Sequence, residues 1–117
     1  MAGRAEHHVA MCVEHASGEV RVRIEGRIDA STVGDLRVGL HSVVAAAGGG
    51  PVLLDLSGSS VGDATALGLL VEIRRYARRL GCSLHVVEAC PRTLRLLRRA
   101  RLGGLVRPAV PAAAAMG

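Results

Sequence analysis

An α/β fold with a mixed β-sheet is predicted for this chain by three observations. Two short alternating segments are joined by Ser17-Gly18, the period switches from strand to helix at Ser31, and a strand-then-helix pattern repeats from there on. In HVAMCVEH (8–15), Val9, Met11 and Val13 share one face. In EVRVRIEG (19–26), Val20, Val22 and Ile24 alternate with Arg21, Arg23 and Glu25. Both read as half-buried strands, and Ser17-Gly18 supplies the hairpin turn. From Ser31, the residues Val33, Leu36, Leu40, Val43 and Ala47 recur at helical spacing, with Ser31 or Thr32 as cap and Asp35 in the first turn.

AAGGGP stops that helix, and Pro51 opens PVLLDLS, whose near-continuous apolar run suits a central strand covered on both sides. SGSSVG reads as a loop. A second helix is predicted from Asp63 to Leu80, with Ala66, Leu70, Ile73, Ala77 and Leu80 on its buried stripe. Arg74, Arg75, Arg78 and Arg79 face away, and Gly81 ends it. CSLHVVEA (82–89) is the fourth strand, and Pro91 starts a last helix, PRTLRLLRRARL, with Leu94 and Leu97 turned inward. The predicted order is β-β-α-β-α-β-α, four to five strands with three or more helices, and right-handed crossovers in the parallel part. Residues 1–107 are expected to form one domain and the Pro/Ala segment 108–117 a disordered tail.

Composition excludes several function classes. Half of the 117 residues are apolar, yet there is one Tyr and no Phe or Trp, so the core must be built from Val, Leu, Ile and Ala, with no aromatic cofactor cradle. No cofactor is expected. No apolar run approaches the ~20 residues that span a bilayer, and MAGRAEHHVAM lacks the apolar stretch of a secretory signal, so a cytoplasmic chain without membrane insertion is expected. Cys12, Cys82 and Cys90 are odd in number and lack CxxC spacing, which argues against a disulfide framework or a structural metal site and for buried thiols.

An enzyme is not expected either. No GxSxG motif occurs, and the five histidines at 7, 8, 15, 41 and 85 follow no pattern. GGGP follows a helix instead of opening one and lacks the GK[ST] ending of a phosphate loop. Charge is more informative. Residues 1–63 hold five Arg against eight acids, and residues 64–117 hold ten Arg against two acids. The Arg-rich stretches 74–79 and 92–101 are expected to be solvated helix faces. An Arg-dependent nucleic-acid binder is the alternative from a different class, weakened by Tyr76 being the sole aromatic.

One stretch carries more. PVLLDLSGSSVGDATALGLL is similar to the signature of the STAS domain, the family of bacterial anti-sigma-factor antagonists. There an apolar strand ending in Asp-Leu-Ser leads to Asp-Ser-(Ser/Thr/Ala)-Gly-Leu-Gly at a helix start. GRIDAST (26–32) resembles the family's Gly-Glu-Leu-Asp segment, and RRLGCSLHVVEACPRTLRLLRRARLGGLV its final strand and helix. The resemblance runs from residue 8 to about 107. Residue by residue, Asp55 matches the central-strand Asp, Asp63 the motif Asp, Leu67 and Gly68 the Leu-Gly, and Gly26 and Asp29 the earlier segment.

The resemblance implies a non-enzymatic, STAS-like interaction domain whose partner is an anti-sigma factor or a related kinase-fold protein. Its implied partner surface comprises Gly26, Asp29, Ser60, Asp63, Ala64, Thr65, Ala66 and Leu67. In family antagonists the Ser after the motif Asp is phosphorylated by that partner, which abolishes docking by adding roughly −1.5 to −2 charges. Here that position is Ala64, which cannot be phosphorylated. Thr65, one place on, is a candidate acceptor rotated by about 100° around the helix. Asp63 also has a plain structural role as a helix cap, worth ~1 kcal/mol. The same resemblance admits a scaffold subunit of a stress-signalling or lipid-transport complex.

Overall fold

The computed structural model describes residues 8–107. The expected tail 108–117 lies outside the described residues. Strands β1 (Val9–Ala16) and β2 (Glu19–Ile28) form an antiparallel hairpin. Its turn holds Ser17 at φ 52° and Gly18 at φ 78°, the left-handed pair whose twist matches two antiparallel strands. Helix α1 (Val33–Ala46) leads to β3 (Val52–Val61), α2 (Ala64–Arg79), β4 (Leu84–Ala89) and α3 (Pro91–Arg99). A single 3₁₀ turn, Gly103–Leu105, follows.

The sheet order is β1-β2-β3-β4, with β2, β3 and β4 parallel. The expected order β-β-α-β-α-β-α is present. Val106 adds one parallel bridge beside Val86, and the Arg107 amide donates to the Val86 carbonyl at 2.9 Å, so a rudimentary fifth strand closes the β4 edge.

The helices share one face of the sheet. Val22, Ile24, Leu54, Leu56 and Val86 point into the same cluster as Leu36 and Leu40 of α1, Leu70 and Ile73 of α2, and Leu97 of α3. Arg21, Arg23, Asp55 and Ser57 lie on the opposite face, which none of the described helices covers. This corrects the expectation that β3 is covered on both sides. Leu53 is buried, at 4 % exposure, yet lies outside the main cluster, flanked across the ladder by Arg21 and His85. An apolar run can arise from one buried face plus one leucine shielded by long polar neighbours, and periodicity does not separate the two cases. Asp55 on this face is partly buried, which opposes ionisation. The hydroxyl and amide of Ser57 outweigh that, with Arg21 and Arg23 adding to them, and its carboxyl stays below the usual range.

Several boundaries differ from the sequence reading. SGSSVG is not a loop, because β3 continues through it to Val61, held by parallel pairing with β2 as far as Ile28. Register shifts between Arg23 and Glu25 and between Leu54 and Asp55 absorb the irregularity. Leu80 is 44 % exposed and caps α2 instead of joining its stripe, where Leu69 is buried in its place. Gly81, at φ 76°, ends α2 as expected, and the Cys82 amide reaches back to the Ala77 carbonyl at 2.8 Å. In α1, Val44 is buried and Val43 only half-buried; in α3, Thr93 and Leu97 are buried and Leu94 half-buried. Cys82 is buried, but Cys12 is exposed on the open face and Cys90 half-buried, so the expectation of buried thiols holds for one of the three.

Candidate functional site

Loops at the carboxyl ends of parallel strands are where an open sheet can bring distant residues together. β2 and β3 end side by side, with Ile28 opposite Val61. The β2–α1 and β3–α2 loops therefore emerge as neighbours, tied by the Gly62 amide donating to the Ile28 carbonyl at 2.8 Å.

The first loop folds around Asp29. Its carboxylate accepts from the Ser31 amide at 2.9 Å, from the Ser31 hydroxyl at 2.6 Å and from Arg27 Nε at 3.1 Å. The Ser31 hydroxyl, then its amide and Arg27, hold the Asp29 carboxyl below its usual range. Thr32 occupies the cap position of α1 without capping it. Its hydroxyl donates to the Arg27 carbonyl at 2.8 Å and accepts from the Asp29 amide at 3.1 Å, bracing the loop internally.

Asp63 organises the second loop. Oδ1 accepts from the Thr65 amide at 3.0 Å, the expected cap of α2, and Oδ2 accepts from the Ala30 amide of the neighbouring loop at 3.4 Å. One carboxylate thus sets the start of α2 and its position against the β2–α1 loop. Arg27 crosses over Gly62: a Cβ built there would meet Arg27 Nε at 2.9 Å.

The residues implied by resemblance separate into groups. Asp29, Asp63, Ala64 and Thr65 meet at this end of the sheet; Ala64 and Thr65 are exposed, and Leu67 is half-buried beside them. Ser60 is exposed on β3 opposite Arg27, one step before the loop. Ala66 is 1 % exposed and part of the core, so its side chain offers nothing to a partner. A glycine there is not required, because the position is an ordinary helical one facing inward.

Gly26 lies within β2 at φ 109°, where an added Cβ would sit 2.5 Å from the His8 carbonyl oxygen. Its role is in the backbone of the hairpin. Sequence reasoning missed Leu96 and Arg92 of α3, which share a hollow with Val61, Asp63, Ala64 and Leu67. The available signal was that Leu96 falls off the Leu94/Leu97 stripe.

A second polar cluster joins α1 to α2. Glu72 accepts from Arg37 Nε at 3.0 Å, and His41 Nε2 lies 2.9 Å from its Oε2. The His41 ring packs against Tyr76, with centroids 4.3 Å apart and planes tilted by 37°. The His41 hydrogen bond, followed by Arg37, holds the Glu72 carboxyl below its ordinary value of 4.5. A carboxyl whose folded pKa is depressed contributes stability that is present above the unfolded pKa and lost as pH falls through the folded one. Glu72→Gln is therefore expected to lower the thermal midpoint slightly near neutral pH, with the gap from wild type closing below about pH 4. Melting curves across that range check it; a gap constant down to about pH 3 would contradict the pairing.

Among the described residues, no group of three or more His, Cys, Asp or Glu is placed to hold a metal ion. Among them, too, no helix is long and apolar enough to cross a membrane.

Comparison with known proteins bears on this geometry. A family model described as "Mlab, STAS domain" matches residues 11–107. An anti-sigma factor antagonist from Mycobacterium paratuberculosis has a similar structure, with 23 % identity, a TM-score of 0.74, and 94 % of this chain and 92 % of that one covered. The unphosphorylated form of the anti-sigma factor antagonist SpoIIAA is similar at 18 % identity and a TM-score of 0.69, covering 91 % and 93 %. The phosphorylated form of SpoIIAA, a Bacillus cell fate determinant, gives 18 % and 0.64, covering 92 % and 97 %. No curated protein matches. With a family match running from β1 to the end of the described chain, over the loops that Asp29 and Asp63 organise, the chain belongs to the STAS family.

Proposed function

We propose that this chain is a non-enzymatic docking domain of the anti-sigma-factor-antagonist type. It binds a kinase-fold anti-sigma factor through the loops at the carboxyl ends of β2 and β3, and so regulates sigma-factor-dependent transcription from the cytoplasm. The observation that carries this reading is the double use of Asp63, which bonds to both loops and presents Ala64 and Thr65 outward beside the Leu67–Leu96 hollow. Such a surface is pre-organised: few groups need ordering when a partner arrives. With Ala64 in the acceptor position, the domain docks constitutively, or under a control other than phosphorylation there.

The test is complex formation with the kinase-fold protein encoded nearest the gene, measured by calorimetry. Leu67→Glu is expected to weaken binding at least about tenfold, because it puts a charge into the apolar part of the contact. A complex unaffected by Leu67→Glu, in a variant that melts like wild type, would overturn the reading. A second reading, a scaffold subunit of a lipid-transport or stress-signalling complex, is favoured by the lack of a serine at position 64. Co-purification of a membrane transporter or a large particle from the native host, in place of an anti-sigma factor, would select it.

A further inference from the structure

We propose that the furrow between α2 and α3 takes an acidic amphipathic helix of a protein partner. This deepens the docking reading, because the furrow opens at one end onto Asp63 and Ala64. Two hollows that share Arg92 and Leu96 lie along it. One is lined by Leu67, Arg92 and Leu96 beside the α2 start, the other by Arg92, Arg95, Leu96 and Arg99 along α3. Arg92, Arg95, Leu96 and Arg99 stand at i, i+3, i+4 and i+7, which places them on one face of α3 over about 10 Å. From the α2 side Arg74 reaches toward the turn after α3: a methyl built on Gly104 would sit 3.6 Å from its Nη2.

Among the described residues the arginines of this face make no ion pair, and the Asp63 carboxylate borders the first hollow, beside Arg92, but not the second. From Pro91 to Arg107 the sequence holds no acidic residue. The ion pairs among the described residues are Arg27–Asp29, Arg37–Glu72 and His41–Glu72, none of them on α3. Helix stability does not account for the arrangement. Arg98 and Arg99 in the last turn suit the helix dipole, but Arg92 stands in the first turn, where a cation opposes it. Arg101, at φ 61°, occupies a left-handed position that favours glycine. A partner helix with carboxylates at i, i+3 or i+4, and i+7 would meet the arginines, while an apolar side chain between them would enter the Leu67–Leu96 notch.

The same observations disfavour other anions. Tyr76, the sole aromatic, packs against His41 between α1 and α2, so the furrow has no platform for bases. Among the described residues, the exposed large apolar side chains Val13, Val38 and Leu80 lie on β1, on α1 and at the end of α2, and none of them stands beside the α3 arginines as a wedge for a lipid surface.

The experiment uses the full chain and a fluorescein-labelled helical peptide with a Glu stripe flanking a Leu stripe, read by anisotropy at about 50 mM salt. Binding is expected, with a loss of at least about tenfold in the Arg92→Glu/Arg95→Glu variant and in Leu96→Asp. The Arg21→Glu/Arg23→Glu variant of the open sheet face should bind as wild type does. Glu at position 92, in the first turn of α3, favours the dipole, and Arg95 is exposed, so the Arg92/Arg95 variant should melt close to wild type. Failure of the peptide to bind would overturn the proposal. So would equal binding of the Lys-for-Glu peptide, of duplex DNA or of phosphatidylglycerol vesicles, or unchanged affinity in the Arg92/Arg95 variant. The docking reading is judged separately. If Leu67→Glu breaks the complex with the kinase-fold partner and the Arg92/Arg95 variant does not, that reading stands and the furrow proposal falls.

Discussion

Ala64→Ser should turn the domain into a phosphorylation substrate of the kinase-fold partner proposed for it, while the wild-type chain takes no phosphate within residues 59–65. The residue is exposed in the first turn of α2, so the added hydroxyl is accessible and costs at most about 0.5 kcal/mol in helix propensity. Once phosphorylated, position 64 would carry roughly −1.5 to −2 charges directly beside Asp63. The amides at the start of α2 favour an anion, but Asp63 already takes the Thr65 amide, and two adjacent anions would repel.

Binding of the partner should therefore fall at least about tenfold on phosphorylation of the Ala64→Ser protein and not change for wild type incubated with ATP. Mass spectrometry locates the phosphate and calorimetry reads the affinity. Efficient modification of wild type at Thr65 would show that the switch has moved by one residue and would end the constitutive reading. The geometry argues against that: Thr65 is exposed but turned about 100° from position 64.

The largest effect on stability is expected from Leu54→Ala. Leu54 is fully buried on the central strand, paired across the sheet with Val22 and Val86, and faces the helices. Removing its side chain leaves a cavity between sheet and helices and should destabilise the domain by about 2–5 kcal/mol. For a domain of this size that is roughly 10 °C or more in the thermal midpoint. The neighbouring Leu53→Ala is the informative control. Leu53 is almost as buried but lies on the open face, where flexible Arg21 and His85 side chains can close over the gap, so its loss should cost less than half as much. Thermal unfolding followed by circular dichroism separates the two. Equal losses would mean that the sheet has two cores and not one.

Much of this domain is legible before any tertiary contact is known. Alternation in Val20, Val22 and Ile24 and helical spacing in Leu36 and Leu40 place their side chains inward, because burial imposes the period of the local structure. Ser17-Gly18, Asp63 and Gly81 mark a turn, a helix start and a helix end through their own backbone and hydrogen-bonding chemistry. The errors are of another kind. Ser57 to Ser60 look like a loop by composition, yet they form strand because β2 runs alongside and pairs with them. Ala66 belongs by resemblance to the partner surface, but a single step around α2 turns it into the core and leaves Leu67 at the rim.

The sequence by itself determined the order of elements and the capped start of α2 with Ala64 directly after the cap, since each depends on residues within a few positions of one another. Only the tertiary structure decided that the three described helices pack on one face of the sheet, that Asp63 braces the β2–α1 loop through Ala30, and that Leu96 and Arg92 complete the hollow beside Leu67. Those relations join segments about thirty residues apart. They follow from parallel strands ending together and from helices crossing back over one face, a geometry that no local period encodes.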